Sequence, residues 1–350
     1  MSLTPKARPN VERMAGYKPG EQPRPGERVI KLNTNENPFP PSPRVVEAIR
    51  HIDPERLRRY PSPNADDFRQ TAARVHGVSP DMIVAGNGSD EILAMAVRTY
   101  LGPGDIFAYP DPTYSLYPIL AEVGEVKVAS VPWDAGWDLP IDALLGTGAR
   151  AIFFANPNAP TGTLVPQSRV RELAKRFYGL LLVDEAYVDF ADENSLGLIS
   201  DFPNLIICRT LSKGYGLAGL RFGYAIAAPA VVAEMNKVKD SYNCDAVAVS
   251  AAAAALEDQD YARATWKHVR AERARLSEAL QRRGWQVIPS QANFVLATCP
   301  DGNAGAIYRA LKAKGILVRF FDKPGLQDKL RITIGTADEN DQVLAALSAL

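Results

Sequence analysis

Cysteine and histidine are scarce, three of each among 350 residues. Cys208, Cys244 and Cys299 lie too far apart for a disulfide framework or a metal-binding motif. His51, His76 and His268 are not paired at ligand spacing, so no metal site is expected. An excess of either charge is also missing. Lysine plus arginine number 40 and aspartate plus glutamate 40, so no global field favours nucleic acid or an anionic membrane. Any anionic ligand must be held by local placement. No apolar run is long enough to span a bilayer, and the N-terminus lacks the apolar core of a signal peptide. The nearest candidate, 246–256, is short and alanine-rich and reads as a buried helix. A soluble, cytoplasmic protein without nucleic-acid or membrane partners is the expectation.

What the chain does have is concentrated at 208–224, CRTLSKGYGLAGLRFGY. Lys213 sits in a turn between the apolar runs 204–208 and 222–228. Ser212, Gly214, Gly216 and Gly219 crowd it with small residues. The hydroxyls of Thr210 and Ser212 and the guanidinium of Arg221 can grip an anion beside the amine. That set suits a covalently held, phosphorylated aldehyde such as pyridoxal phosphate. Two alternatives compete: a solvated surface lysine, and a dinucleotide fingerprint formed by the three glycines. The fingerprint needs a helix after the glycines. LRFGYAIA, which follows, reads as a strand.

Along the chain, residues 5–43 are proline-rich and aperiodic and read as an extended arm. Within it, LNTNENPFPPSP (32–43) reads by itself as a polar turn cluster. Residues 45–51 and 66–75 look helical, and 82–85 is a short strand. GNGSDEILAMAVRTYL then gives a strand-to-helix turn, whose free N–H groups can seat a phosphate around Ser89 and Asp90 or simply be capped by them. Strands are expected at 106–109, 126–131, 151–156 and 180–183, with a helix at 168–177. Strands apolar on both faces and separated by helices predict a parallel sheet covered on both sides. Ligands of such sheets lie beyond the carboxyl ends of the strands. There stand Asp184, Glu185 and Tyr187, Asn156-Pro157-Asn158, and the Lys213 loop. Beyond Tyr242, two long helical patterns and strand-like runs at 294–298, 316–321 and 329–334 suggest a second, smaller α+β unit. The expected division is an arm at 1–43 that joins the small domain and a dimer partner, a large domain at 44–241 and a small domain at 242–350.

Asp184 ends an apolar strand, where an unpaired carboxylate is costly unless it turns to water. There it can keep a pyridine nitrogen protonated and the ring electron-withdrawing. Tyr187 can bond a ring oxygen, and Tyr114, in DPTYSLY, can stack on the ring. Either tyrosine could equally be an ordinary packed aromatic.

These residues sit in segments that resemble a known family. LNTNENPFPPSP, RRYPSPNADDFR, GNGSDE, DPTYSLY, NPNAPTG, VDEAYVDF, RTLSKGYGLAGLRFGYAI, SYN, NF and LRITIGT cover the chain almost end to end. Together they look like a fold-type I, class I/II pyridoxal-phosphate aminotransferase, most closely of the histidinol-phosphate branch. The resemblance implies an α/β large domain with a mostly parallel sheet and a smaller α+β domain. It makes Lys213 the Schiff-base lysine, Asp184 the partner of the pyridine nitrogen, Tyr187 a ring-oxygen ligand and Tyr114 the stacking aromatic. Ser89, Asp90, Thr210, Ser212 and Arg221 would cradle the phosphate. Tyr60 would reach the cofactor phosphate of a second subunit, which implies a homodimer. Arg331 would pair with the substrate carboxylate or phosphate, with Tyr17, Asn33 and Arg319 as further substrate contacts. One position departs from the pattern. The family usually has asparagine immediately before PTG, where this chain has Ala159. Either Asn158 reaches the ring oxygen after a local shift, the option we favour, or Tyr187 bonds it alone.

The implied reaction moves the amino group of histidinol phosphate to 2-oxoglutarate, giving imidazole acetol phosphate and glutamate. Lys213 serves as the proton-transferring base. An aromatic amino-acid aminotransferase and a threonine-phosphate decarboxylase are the nearest alternatives. A nicotinamide-dependent oxidoreductase and a catalytically silent binding module are remoter ones.

Overall fold

The structure, a computed structural model, describes residues 4–24 and 26–350. Among these, the strands in chain order are β1 (Ile30–Lys31), β2 (Ile83–Gly86), β3 (Ile106–Asp111), β4 (Lys127–Pro132), β5 (Ala151–Ala155), β6 (Leu180–Asp184) and β7 (Leu205–Thr210). They continue with β8 (Gly223–Ala227), β9 (Gln286–Val287), β10 (Phe294–Thr298), β11 (Ile316–Leu317), β12 (Arg319–Phe320) and β13 (Lys329–Thr333).

Strands β2 to β8 form one seven-stranded sheet in the order β2-β8-β7-β6-β5-β3-β4. Only β8 runs against its neighbours. The rest are co-directional, as expected for AIFFA and LLLVD, whose residues are all buried. Alternate side chains feed two cores. Phe154, Leu181, Val183 and Ile207 pack on one face with Phe68 and Leu139. Phe153, Leu182 and Ile206 pack on the other with Ile92, Phe107 and Tyr117. Because the strands share a direction, Gly86, Asp184 and Thr210 end at the same edge of the sheet. The helix Ser89–Tyr100 begins there too. That edge carries the candidate site.

A third core belongs to the antiparallel sheet β12-β13-β10-β9 and its helices, with Leu276, Leu280, Val295, Leu330, Ile332 and Val343 buried. The arm joins it. Leu32 is part of this core, β1 pairs in parallel with β11, and Thr333 N–H donates to the Leu32 carbonyl at 3.0 Å.

Two expectations change. The helix Ala246–Glu257, assigned from sequence to the small unit that starts at 242, buries Ala248, Val249, Ala252 and Leu256 in the first core of the large sheet. The large unit therefore runs past 241. The change of core falls within the helix Gln259–Gln281, whose Ala262 belongs to the first core and Leu276 to the third. The run at 316–321 is also not one strand. Its first half follows the arm and its second half pairs with β13, dividing at the buried Val318. No described helix is long and apolar enough to cross a membrane.

Gly223 is the tightest point of the edge. It lies opposite Gly86 on one side and Thr210 on the other. A Cβ there would come 2.3 Å from the Ser89 backbone nitrogen. Gly223→Ala must therefore push the start of the helix at Ser89 off the sheet. Overpacking of this kind costs about 1–3 kcal/mol. Chemical denaturation should show that loss, and an unchanged midpoint would mean that the turn yields freely.

Candidate active site

Asp184 closes β6 with its carboxylate inside the protein, 3% exposed. Oδ2 accepts the hydroxyl of Tyr117 at 3.1 Å and Oδ1 the N–H of Ala186 at 3.2 Å. Burial raises its pKa to about 7, although both hydrogen bonds pull the other way. No cation lies in ion-pair contact with Asp184 among the described residues.

Lys213 follows the end of β7. Its Nζ donates to the carbonyl of Thr34 at 2.9 Å and lies 6.0 Å from the centre of the Tyr187 ring. Burial, reinforced by Arg331 and Arg221, lowers its pKa to about 8. Asn37 Nδ2 donates to the carbonyls of both Lys213 and Gly214 at 3.0 Å, and Trp266 Nε1 donates to Gly214 at 2.7 Å. Residue 214 must lack a side chain, since a Cβ would fall 2.0 Å from the Asp189 carboxylate. The loop is thus held around a half-buried amine whose neutral fraction at physiological pH is far larger than that of an ordinary lysine.

An anion cradle adjoins it. The first N–H groups of the helix Ser89–Tyr100 have no acceptor within the helix. Arg221 adopts a left-handed backbone, φ 57°, which is strained for a non-glycine residue. That conformation brings its Nη1 within 3.4 Å of Ser212 Oγ and its Nη2 within 3.4 Å of Asp90 Oδ2. Thr210 Oγ1 donates to Ser212 Oγ at 3.0 Å, and Tyr114 donates to Asp90 Oδ1 at 3.0 Å. Burial beside Asp90 keeps the Tyr114 phenol protonated. Its ring stands edge-on to those of Tyr17 and Tyr117.

Across the cleft, Arg319 and Arg331 are directly paired residues of β12 and β13, so both side chains leave the same face. Neither has a carboxylate partner among the described residues. Arg331 Nη2 donates to the carbonyl of Asn33 at 3.1 Å, and its Nε is buried without an acceptor. Burial lowers its pKa, with Arg319 adding to the effect. Asn33 is itself buried and donates to the Glu21 carbonyl, leaving Oδ1 unpaired.

Lys213, Asp184, Tyr187, Tyr114, Asp90, Thr210, Ser212, Arg221, Arg331, Arg319, Tyr17 and Asn33 are joined by these contacts and by mutual electrostatics, with Ser89 at the start of the helix beside them.

 Tyr60 is the exception. It is 81% exposed and stacks on Tyr242, away from this cleft. Asn158 is fully buried, but both of its amide hydrogens are committed, to the Pro112 carbonyl at 3.1 Å and to Thr161 Oγ1 at 2.9 Å. In this arrangement it has no donor left for a ring oxygen, against the option favoured from the sequence. Four contributors were missed from the sequence. Tyr117, one helical turn after Tyr114, carried only a core-aromatic signal. Thr34, Asn35 and Asn37 were hidden in the polar arm, where their density in LNTNENP was the available clue.

The donor set fits a phosphorylated pyridine aldehyde: a buried carboxylate for the ring nitrogen, a near-neutral amine for the aldehyde and a cradle for the phosphate. The raised pKa of Asp184 has a consequence for stability. The folded state holds a proton there that the unfolded state has lost between about pH 4 and pH 7, so stability falls as pH rises through that window. Asp184→Asn removes this penalty. Protein dialysed free of ligand should show the variant gaining on wild type, by on the order of 2–4 kcal/mol, between pH 4 and pH 8. Parallel stability curves would rule out a carboxylate that resists ionisation.

The class I and II aminotransferase family model matches residues 27–347. Histidinol-phosphate aminotransferase 1 of Trichormus variabilis is 46% identical over 348 residues, covering 99% of both chains. The histidinol-phosphate aminotransferase of Syntrophotalea carbinolica is 47% identical over 341 residues, covering 97% of this chain and 98% of its own. Among solved structures, histidinol-phosphate aminotransferase from Sinorhizobium meliloti in complex with pyridoxal-5'-phosphate aligns with a TM-score of 0.91 at 30% identity. That alignment covers 99% of this chain and 98% of the other. The expected fold-type I architecture is the one observed, and the chain belongs to the class I and II aminotransferase family.

Proposed function

We propose that this chain is a pyridoxal-phosphate-dependent aminotransferase that transfers the amino group of histidinol phosphate to 2-oxoglutarate. The observation that carries the substrate class is the pair of guanidiniums, Arg319 and Arg331, side by side on one sheet face without a carboxylate partner among the described residues. Two adjacent unpaired cations suit a doubly charged phosphate better than a neutral aromatic ring. The full-length similarity to histidinol-phosphate aminotransferases supports the same reading.

When bound, pyridoxal phosphate supplies an aldehyde for covalent attachment and a protonated ring that withdraws electrons from the substrate. The protein supplies the rest. Lys213 Nζ is the attachment point. The same nitrogen, when unattached, would be the base that takes the proton from the substrate α-carbon. A pKa near 8 gives it a sizeable neutral fraction at working pH. Asp184 would pair with the ring nitrogen and keep a proton there, while Tyr117 and the Ala186 N–H fix its carboxylate. Tyr187 would bond the ring oxygen and Tyr114 would stack on the ring. Ser89, the Asp90 backbone, Thr210, Ser212 and Arg221 would hold the phosphate. Arg331 and Arg319 orient the anionic end of the substrate, with Asn33 and Tyr17 beside them. The exposed Tyr60–Tyr242 stack supports a homodimer in which Tyr60 reaches the neighbouring site.

Steady-state kinetics with histidinol phosphate, phenylalanine and threonine phosphate test the substrate. A markedly higher kcat/KM for phenylalanine would overturn the assignment. Arg319→Ala should raise KM for histidinol phosphate about 10- to 100-fold, the usual weight of a charged hydrogen bond, and change phenylalanine turnover little. Lys213→Ala should lose turnover by at least about 100-fold. It should also lose the visible band that borohydride fixes in wild type. Sedimentation of the wild type as a monomer would remove the role given to Tyr60.

A further inference from the structure

Asn35 lies in the arm, 1% exposed, with a left-handed φ of 57°. Its backbone N–H donates to Thr333 Oγ1 at 3.0 Å, and its carbonyl accepts Asn293 Nδ2 at 3.0 Å. Thr333 Oγ1 in turn donates to Asn35 Oδ1 at 3.1 Å. These bonds settle which way the amide faces. Reversed, it would give Thr333 Oγ1 two donors and leave the threonine's own proton buried without an acceptor. With Oδ1 on Thr333, Nδ2 points at the Tyr187 hydroxyl, 2.9 Å away. An amide nitrogen can only donate, so the Tyr187 oxygen accepts, and its single proton must point elsewhere.

We propose that Asn35 is a positioning residue that fixes the polarity of the Tyr187 hydroxyl, reserving its proton for the ring oxygen of the cofactor. The proposal rests on the pyridoxal-phosphate reading above. Donation from Asn35 also polarises the phenol and strengthens it as a donor, in keeping with the downward pull that Asn35 exerts on the Tyr187 pKa. A proton lent to the ring oxygen spreads its negative charge and makes the lysine–cofactor linkage easier to deprotonate. Asn35 therefore acts on the cofactor at one remove, through Tyr187.

The test is a pH titration of the visible absorption of the holoenzyme. Asn35→Asp places an acceptor where the donor was and turns the Tyr187 proton away from the ring. The midpoint should rise by about one unit. Tyr187→Phe should raise it comparably, and the double variant should go no higher than Tyr187→Phe alone. An Asn35→Asp shift that survives in full in the Tyr187→Phe background would be a bare charge effect and would overturn the proposal, as would no shift at all. Should Asn35→Asp fail to retain cofactor, Asn35→Ala serves. Its smaller rise should vanish in the Tyr187→Phe background, and equal rises in both backgrounds would overturn the proposal. A wild type with no borohydride-sensitive band would overturn the cofactor reading, and this inference with it, before any variant is compared.

Discussion

Charge buried without counter-charge is the constraint around which this molecule is arranged. Asp184 and Lys213 are both pushed towards neutrality, to about 7 and about 8, because each is buried, held by neutral dipoles and without an ion partner among the described residues. The neighbouring acid is treated differently. Glu185, the very next residue, accepts both Arg209 Nε and Nη2 on Oε2, at 3.0 and 2.8 Å, and the Ser195 N–H on Oε1. One carboxylate at this strand end is fully compensated on one side of the sheet, and its neighbour on the other side is left open. A ligand with a basic ring nitrogen, an aldehyde and a phosphate supplies what the open set lacks. Binding free energy and the relief of misplaced charge then come from the same contacts.

The arm gives the site its second dependence. Residues 33–37 touch Arg331, Lys213 and Tyr187 through the carbonyls of Asn33 and Thr34 and the amide of Asn35. Asn37 then caps the Lys213 loop itself. The segment is anchored by Leu32 in the third core and by β1 against β11. Its position is thus set by the small sheet, which also carries Arg331, while Lys213 and Tyr187 stand on the large one. The site is complete only when both cores have formed, so loosening of either is felt at Lys213.

The strand ends were legible because fully buried strands read as unbroken apolar runs, and a lone acid or lysine at the end of such a run stands out. Asp184, Tyr187 and Lys213 were found that way. The alanine-rich helix at 246–257 was assigned to the wrong unit for the opposite reason. It is apolar on nearly all sides, and such a helix does not announce which core it joins. Asn35 and Asn37 were illegible because side-chain amides in a proline-rich segment are usually solvated turn formers. Only the tertiary route of the arm, through β1 and β11, takes these amides out of water. Tyr60 was legible only by resemblance, since its exposed stack with Tyr242 leaves no mark on this chain's own cleft.

Ala159 follows from the same logic. Its methyl group packs with Ala292 and Phe294, against the Tyr187 ring. Tyr187 in turn meets Phe294 edge-on at 5.1 Å. An asparagine at 159 would bring an amide into that apolar contact, where it would need a partner of its own. Asn158 cannot substitute from its present position, since Pro112 and Thr161 already take both of its donors. On the function proposed above, the alanine would leave the ring-oxygen contact to Tyr187. A single donor there would give the buried amide of Asn35 behind that hydroxyl its proposed role.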